Sequence, residues 1–127
     1  MQKFLTAFAL SAALMHAQDR PDPSRDGRRL WLASVSALAA ANAIDVHSSL
    51  GKYETNSRLT GSAGTFGVQG ALIKMSMQAG VLGIQYVVTR RRPSGRLYRA
   101  LALINFGAAA TVGAVAVHNY SVPRAPL

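Results

Sequence analysis

Ionisable side chains stand inside long apolar runs at two points of this sequence. Asn42 and Asp45 end an alanine-rich run, with Ser49 four residues further on, and Lys74, Gln78 and Gln85 follow in a later apolar run. Residues three or four apart lie on one face of a helix, so each group presents its polar atoms to one side. Charges in lipid are costly and usually pair or line a functional path. The pattern therefore predicts either an ion pair or a polar path through the membrane.

An ion pair between Asp45 and Lys74, on two neighbouring helices, is the most specific hypothesis. At about 1.5 Å per residue, both lie within roughly 7 to 12 Å of the same membrane surface. Each charge would otherwise be buried alone. The alternative is that Lys74 extends its amine to that surface on its long aliphatic stem.

More polar residues fall at the same end of the helices, and they form the candidate site. They are Asn42, Asp45, His47, Glu54, Asn56, Lys74, Gln78, His118 and Asn119. His47 and His118 could meet from different helices, with Glu54 as a third metal ligand. Histidines at helix ends more commonly bond to the last carbonyls and to water. No metal site is therefore predicted, and a polar clasp is favoured over a catalytic centre.

Catalytic and cofactor-binding motifs are not found. The chain has no cysteine, which excludes thiolate metal sites and cysteine nucleophiles. Its serines lack a nucleophile elbow, and "GSAGTFGVQG" matches neither the dinucleotide-binding nor the Walker pattern. Its glycines favour a tight turn. No cofactor is predicted, and an enzyme is the less expected class.

Composition places the chain in a membrane. Of its 127 residues, 50% are hydrophobic and only 15% are charged. The runs 30–50, 66–89 and 99–118 approach the roughly 20 residues that a helix needs to cross a bilayer. We therefore expect an all-α fold, a small transmembrane helical bundle of three spans plus an N-terminal apolar segment.

The predicted organisation has four parts. Residues 1–17 resemble a secretory signal or signal anchor. Residues 18–29, rich in proline and charge, are expected to form an exposed linker. Residues 30–120 form the membrane domain, and 121–127 a tail.

A basic loop separates the last two spans and contains Arg90, Arg91, Arg92, Arg96 and Arg99. Positive charge beside membrane spans is retained in the cytoplasm. The loop is therefore predicted to be cytoplasmic and to contact anionic lipid. A nucleic-acid partner is not predicted, because such a binder would spread its arginines over a folded face.

This topology leaves two possibilities for the N-terminus. If residues 30–50 span, Arg28 and Arg29 lie inside, whereas signal cleavage would leave Gln18 outside. Either residues 1–17 remain as a further membrane segment, or they are cut and residues 30–50 lie on the outer surface. Trp31, as an interfacial residue before an apolar span, favours the first.

Small residues recur at four-residue spacing in the last two spans, a pattern typical of helix packing in lipid. The pairs are Gly107 with Thr111, Ala109 with Gly113, and Ala79 with Gly83.

The segment "NAIDVHSSLGKYETNSRL" resembles a signature of short uncharacterised bacterial membrane proteins. In that signature an Asn and an Asp end the first span, and a Glu-x-Asn-Pro motif follows. Asn42, Asp45, Glu54 and Asn56 are the matching positions, while Ser57 stands where the family usually has proline. The resemblance implies membership and a membrane location. It also suggests that Asp45 and Glu54–Asn56 form a structural lock at the outer surface.

Two classes of function follow. The first is a structural or accessory membrane protein, associating with itself or with a larger complex through small-residue faces. The alternative is a small oligomeric transporter, channel or membrane enzyme, with Asp45, Lys74 and Gln78 as a polar pathway.

Overall fold

Three long helices make up most of the computed structural model, which describes residues 22–91 and 93–125. They are α1, Pro23–Ser49; α2, Val68–Thr89; and α3, Gly95–Ser121. Each is long and apolar enough to cross a membrane. The expected all-α fold with three span-length helices is confirmed. The predicted N-terminal segment 1–17, its cleavage, and residues 18–21 lie outside the described residues.

Helix α1 begins earlier than the sequence suggests. The Asp22 side chain accepts a hydrogen bond from the Ser24 N–H at 3.0 Å, and Pro23 occupies the first helical turn. Proline suits this position because its missing N–H would have no helical partner there. The hydrogen bonds from Ser24 also hold the pKa of Asp22 below its ordinary value. Residues 23–29, part of the predicted linker, are helical, because a well-capped start carries the helix through this polar sequence.

Helices α1 and α3 run parallel and pack closely. Buried positions in α1 alternate at spacings of four and three, as in a coiled-coil seam: Gly27, Trp31, Ser34, Leu38, Ala41, Asp45 and Ser48. On α3 the buried positions are Tyr98, Ala102, Asn105 and Ala116. The helices nearly touch where they begin, since a Cβ added to Gly27 would lie 2.9 Å from the Gly95 carbonyl oxygen. Small residues thus permit the close approach.

Helix α2 runs antiparallel to the other two and packs less closely, with only Gly70, Gln85 and Thr89 buried. Polar side chains make its main connections to the bundle. One end of the bundle therefore combines the starts of α1 and α3 with the end of α2. We name it the basic end, because it contains Arg25, Arg28, Arg29, Arg90, Arg91, Arg96 and Arg99. The opposite end is named the loop end.

The connection between α1 and α2 folds back on itself at the loop end. Gly51 and Gly64 have φ values of 73° and 72°, which side-chain-bearing residues rarely adopt. The buried Phe66 donates its N–H to the Lys52 carbonyl oxygen at 2.8 Å, and the Ala125 N–H of the tail donates to the Gly51 carbonyl oxygen at 3.0 Å. The glycine-rich segment forms a turn into α2, as its sequence predicts.

Four other helical glycines have free space where a side chain would lie. A Cβ added to Gly80 or Gly83 on α2, or to Gly107 or Gly113 on α3, would meet no atom within 4 Å. We name these positions the open glycine faces. The close packing within the chain uses Gly27 and Gly95 instead, so the predicted small-residue faces are not used between these helices.

Candidate functional site

Asp45 and Lys74 form the predicted ion pair, with 2.5 Å between Nζ and Oδ2. The other carboxylate oxygen of Asp45 accepts a hydrogen bond from the Asn119 side chain at 3.4 Å, and Asn119 also donates to the Ser49 hydroxyl at 3.0 Å. All three helices contribute. We name Asp45, Ser49, Lys74 and Asn119 the ion-pair layer.

Burial distinguishes the partners of this pair. The Asp45 side chain is 7% exposed and that of Lys74 is 24% exposed. The Lys74 ammonium also lies 5.0 Å from the centroid of the Phe66 ring, within range of a cation–π interaction. Lys74 thus contacts a carboxylate and an aromatic face, and the alternative in which it reaches away to the surface does not apply.

A cleft of about 390 Å³ adjoins the ion-pair layer and has mainly apolar walls from all three helices. Its polar lining consists of Asn42, Asp45, Lys74 and Gln78. Asn42 donates to the Leu38 carbonyl oxygen within its own helix at 2.9 Å. The Gln78 Oε1 atom is buried and has no hydrogen-bond partner among the described residues. The structure therefore brings four of the predicted residues together.

The remaining candidates lie apart from this group. The His47 Nδ1 atom lies 2.8 Å from the Tyr120 hydroxyl, and both residues are exposed. His118 is exposed, and among the described residues no hydrogen bond joins its side chain to His47. Across the described ranges 22–91 and 93–125, no three His, Asp or Glu side chains come together as metal ligands.

The predicted lock between Asp45 and Glu54–Asn56 is not formed. Glu54 accepts a hydrogen bond from the Asn56 N–H at 2.9 Å, and the Asn56 side chain accepts one from the Arg58 N–H at 3.1 Å. These short-range bonds shape the loop itself. Asp45 bonds to α2 and α3 instead, because Lys74 brings a full positive charge that Glu54 and Asn56 lack.

A second polar layer lies toward the basic end; the sequence pointed to one of its amides, Gln85, but did not predict the layer. The Gln85 and Asn105 amides donate to each other, at 2.7 Å and 3.0 Å. The Trp31 indole N–H donates to Gln85 Oε1 at 2.8 Å, and the Asn105 amide donates to the Ser34 hydroxyl at 3.1 Å. We name Trp31, Ser34, Gln85 and Asn105 the amide layer; all four are buried.

Trp31, predicted to be an interfacial residue, is buried between the helices. Its ring faces the bundle, where its centroid lies 5.7 Å from that of Tyr98. The signal that could have identified this burial is the four-and-three spacing that joins Trp31 to Ser34 and Asp45 on α1. Two adjacent arginines suggested the membrane surface instead.

The basic loop lies at the basic end. Arg90, Arg91, Arg96 and Arg99 are exposed, and Arg92 lies outside the described residues. Arg90 ends α2, where its N–H bonds to the Val87 carbonyl oxygen at 3.3 Å.

These features define a bundle of three span-length helices with one polar layer toward each end. No protein-family model, curated protein or solved structure matches the chain. The resemblance to short bacterial membrane proteins therefore stays a prediction. The geometry of the chain itself must support any assignment of function.

Proposed function

We propose that this protein is a structural or accessory membrane protein that assembles with further copies of itself through its open glycine faces. The observation that carries the proposal is the unoccupied space at Gly80, Gly83, Gly107 and Gly113. Glycine weakens a helix by about 1 kcal/mol relative to alanine. In lipid, the usual compensation is that a second backbone can approach closely.

The same chain contains a matched example of such compensation. At Gly27 and Gly95, each glycine lets a neighbouring helix come too close for a Cβ. The open glycine faces have no equivalent contact among the described residues. A neighbouring copy would supply it, and the open faces on both α2 and α3 would allow one copy to meet two neighbours.

The ion-pair layer supports a structural role. Asp45 and Lys74 neutralise each other, and Asn119 and Ser49 complete a set of contacts across all three helices. Together with the amide layer, this layer connects α2 to α1 and α3. A rigid α2 would present Gly80 and Gly83 in a defined orientation.

The test is the oligomeric state in lipid vesicles, measured by energy transfer between labelled copies as the lipid-to-protein ratio rises. Gly83→Leu and Gly113→Leu should reduce association at least tenfold, because a bulky side chain separates the backbones. Val88→Leu and Val115→Leu, at exposed positions on other faces of the same two helices, serve as controls and should associate normally. A wild-type chain that is monomeric at every dilution would contradict self-assembly.

A polar pathway is the second candidate, favoured by the unpaired Gln78 Oε1 beside the cleft. Replacing Asp45→Leu and Lys74→Met together separates the candidates. The structural role predicts that this double variant associates like the wild type and that wild-type vesicles leak no more ions than empty vesicles. A wild-type flux that the double variant abolishes, with assembly intact, would establish the pathway instead.

The same proposal includes a bacterial inner-membrane location with the basic end in the cytoplasm. It is supported by the distribution of positive charge among the described residues. The basic end has the seven arginines that define it, whereas the loop end has Lys52, Arg58 and Arg124. The chain has no native cysteine, so Ser57→Cys and Ser94→Cys provide single labelling sites. An impermeant thiol reagent added to intact inner-membrane spheroplasts should label only the first. Labelling of only the second would reverse the orientation.

A further inference from the structure

A cavity of about 340 Å³ lies at the basic end, between the first turns of α1, the end of α2 and the start of α3. It is separate from the cleft at the ion-pair layer. Its lining consists of Arg28, Trp31, Tyr86, Thr89, Arg90 and Tyr98. The volume falls within the range of about 300 to 1,000 Å³ that is typical of small-molecule sites.

The cavity carries positive charge that the chain does not neutralise. Arg28 comes from α1 and Arg90 from the end of α2, so two helices each supply one guanidinium. Within the part of the chain that the structure describes, neither is paired with a carboxylate. The nearby Asp22 is engaged with Ser24 at the start of α1. Two unneutralised guanidiniums favour an anionic ligand, and their planar donors suit the oxygens of a phosphate.

Two other polar groups in the cavity wall are already engaged. The Trp31 indole N–H bonds to Gln85, and the Thr89 hydroxyl bonds to the Gln85 carbonyl oxygen at 2.8 Å. The buried amide layer thus fixes the floor of the cavity. Arg28, Arg90 and the hydroxyls of Tyr86 and Tyr98 remain as donors toward a ligand, and no carboxylate lines the cavity.

The position of the cavity identifies the source of the phosphate. It lies where the arginines of the basic end meet the apolar spans, with aromatic rings in its wall. Arginines and aromatic rings at this boundary lie at the depth of lipid headgroups. Beyond it, Ile84, Val87 and Val88 of α2 are exposed and apolar, which suits acyl chains. A soluble phosphate compound has no acyl chains to cover such an apolar surface.

We propose that this cavity binds the headgroup phosphate of an anionic phospholipid, with Arg28 and Arg90 contacting the phosphate oxygens. The proposal requires the chain to lie in a membrane but does not depend on self-assembly. It differs from a general attraction of the basic loop to lipid, because it assigns one bound lipid to two particular arginines.

The test is native mass spectrometry of the purified full chain after incubation with phosphatidylglycerol or phosphatidylcholine. The wild type should retain one phosphatidylglycerol molecule at least tenfold better than phosphatidylcholine. Arg28→Gln with Arg90→Gln should lose this preference. The matched control, Arg25→Gln with Arg96→Gln, removes two exposed charges from the same end outside the cavity and should retain it within twofold.

Three results would overturn the proposal. Equal retention of both lipids by the wild type would show that the cavity does not select an anionic headgroup. Equal losses in the two double variants would show that the lipid responds to overall charge and not to a site. Displacement of the bound lipid by glycerol 3-phosphate at equal concentration would assign the cavity to a soluble phosphate compound.

Discussion

The two polar layers hold the same three helices together by different means. The ion-pair layer uses opposite charges, is partly exposed at Lys74, and adjoins a cleft where Gln78 lacks a partner. The amide layer is neutral and buried, and Gln85 and Asn105 satisfy each other in both directions. From this difference we expect the ion-pair layer to tolerate substitution only when both charges are replaced, and the amide layer to depend on the geometry of its two amides.

Breaking the ion pair should give the largest effect and should be asymmetric. Lys74→Met leaves the short Asp45 carboxylate buried without its main partner, a change that costs about 3 to 5 kcal/mol. Asp45→Asn leaves a lysine that can extend toward the surface, and should cost about 1 to 3 kcal/mol. The measurement is the free energy of unfolding in bicelles by detergent titration.

The double variant Asp45→Leu with Lys74→Met provides the control for that asymmetry. Replacing both charges by apolar groups should return the stability to within about 1 kcal/mol of the wild type. If the double variant is no more stable than Lys74→Met alone, the layer does more than neutralise its own charges.

The amide layer should show an intermediate effect. Asn105→Leu removes the partner of both Gln85 amide atoms and of Ser34, and should lower the free energy of unfolding by about 1 to 2 kcal/mol. Ile104→Leu, at the exposed neighbouring position, should stay within about 0.5 kcal/mol of the wild type. Equal stability of the two variants would show that the amide layer contributes no net stability.

Gln78 should give the smallest effect, with the opposite sign. Since its Oε1 atom has no partner, Gln78→Leu removes an unsatisfied acceptor and should raise the free energy of unfolding by up to about 1 kcal/mol. Gln69→Leu, at an exposed position on the first turn of α2, is the control and should change stability by less than about 0.5 kcal/mol. A destabilised Gln78→Leu would mean that this amide is hydrogen-bonded in the membrane.

The predictability of the two layers follows from charge. Asp45 and Lys74 could be paired from sequence, because each charge in an apolar run requires a neutralising partner. The same argument does not apply to Asn105, because a neutral amide needs no charged partner and can bond within its own helix, as Asn42 does with Leu38. The three helices were predictable from the length and apolarity of their runs. The early start of α1 was not predicted, because it depends on hydrogen bonds at Asp22 that composition alone does not indicate.

The close pairing of α1 with α3 has a consequence for biosynthesis. The tightest contact among the described residues joins α1 and α3, so it forms only after synthesis of α3 is complete. Until then, Ser34 lacks its hydrogen bond from Asn105, and Asp45 can meet Lys74 but not Asn119. A chain that stops before α3 therefore leaves polar atoms of α1 uncovered. An unfinished chain differs from a complete one by a polar surface that only the last of the three helices covers.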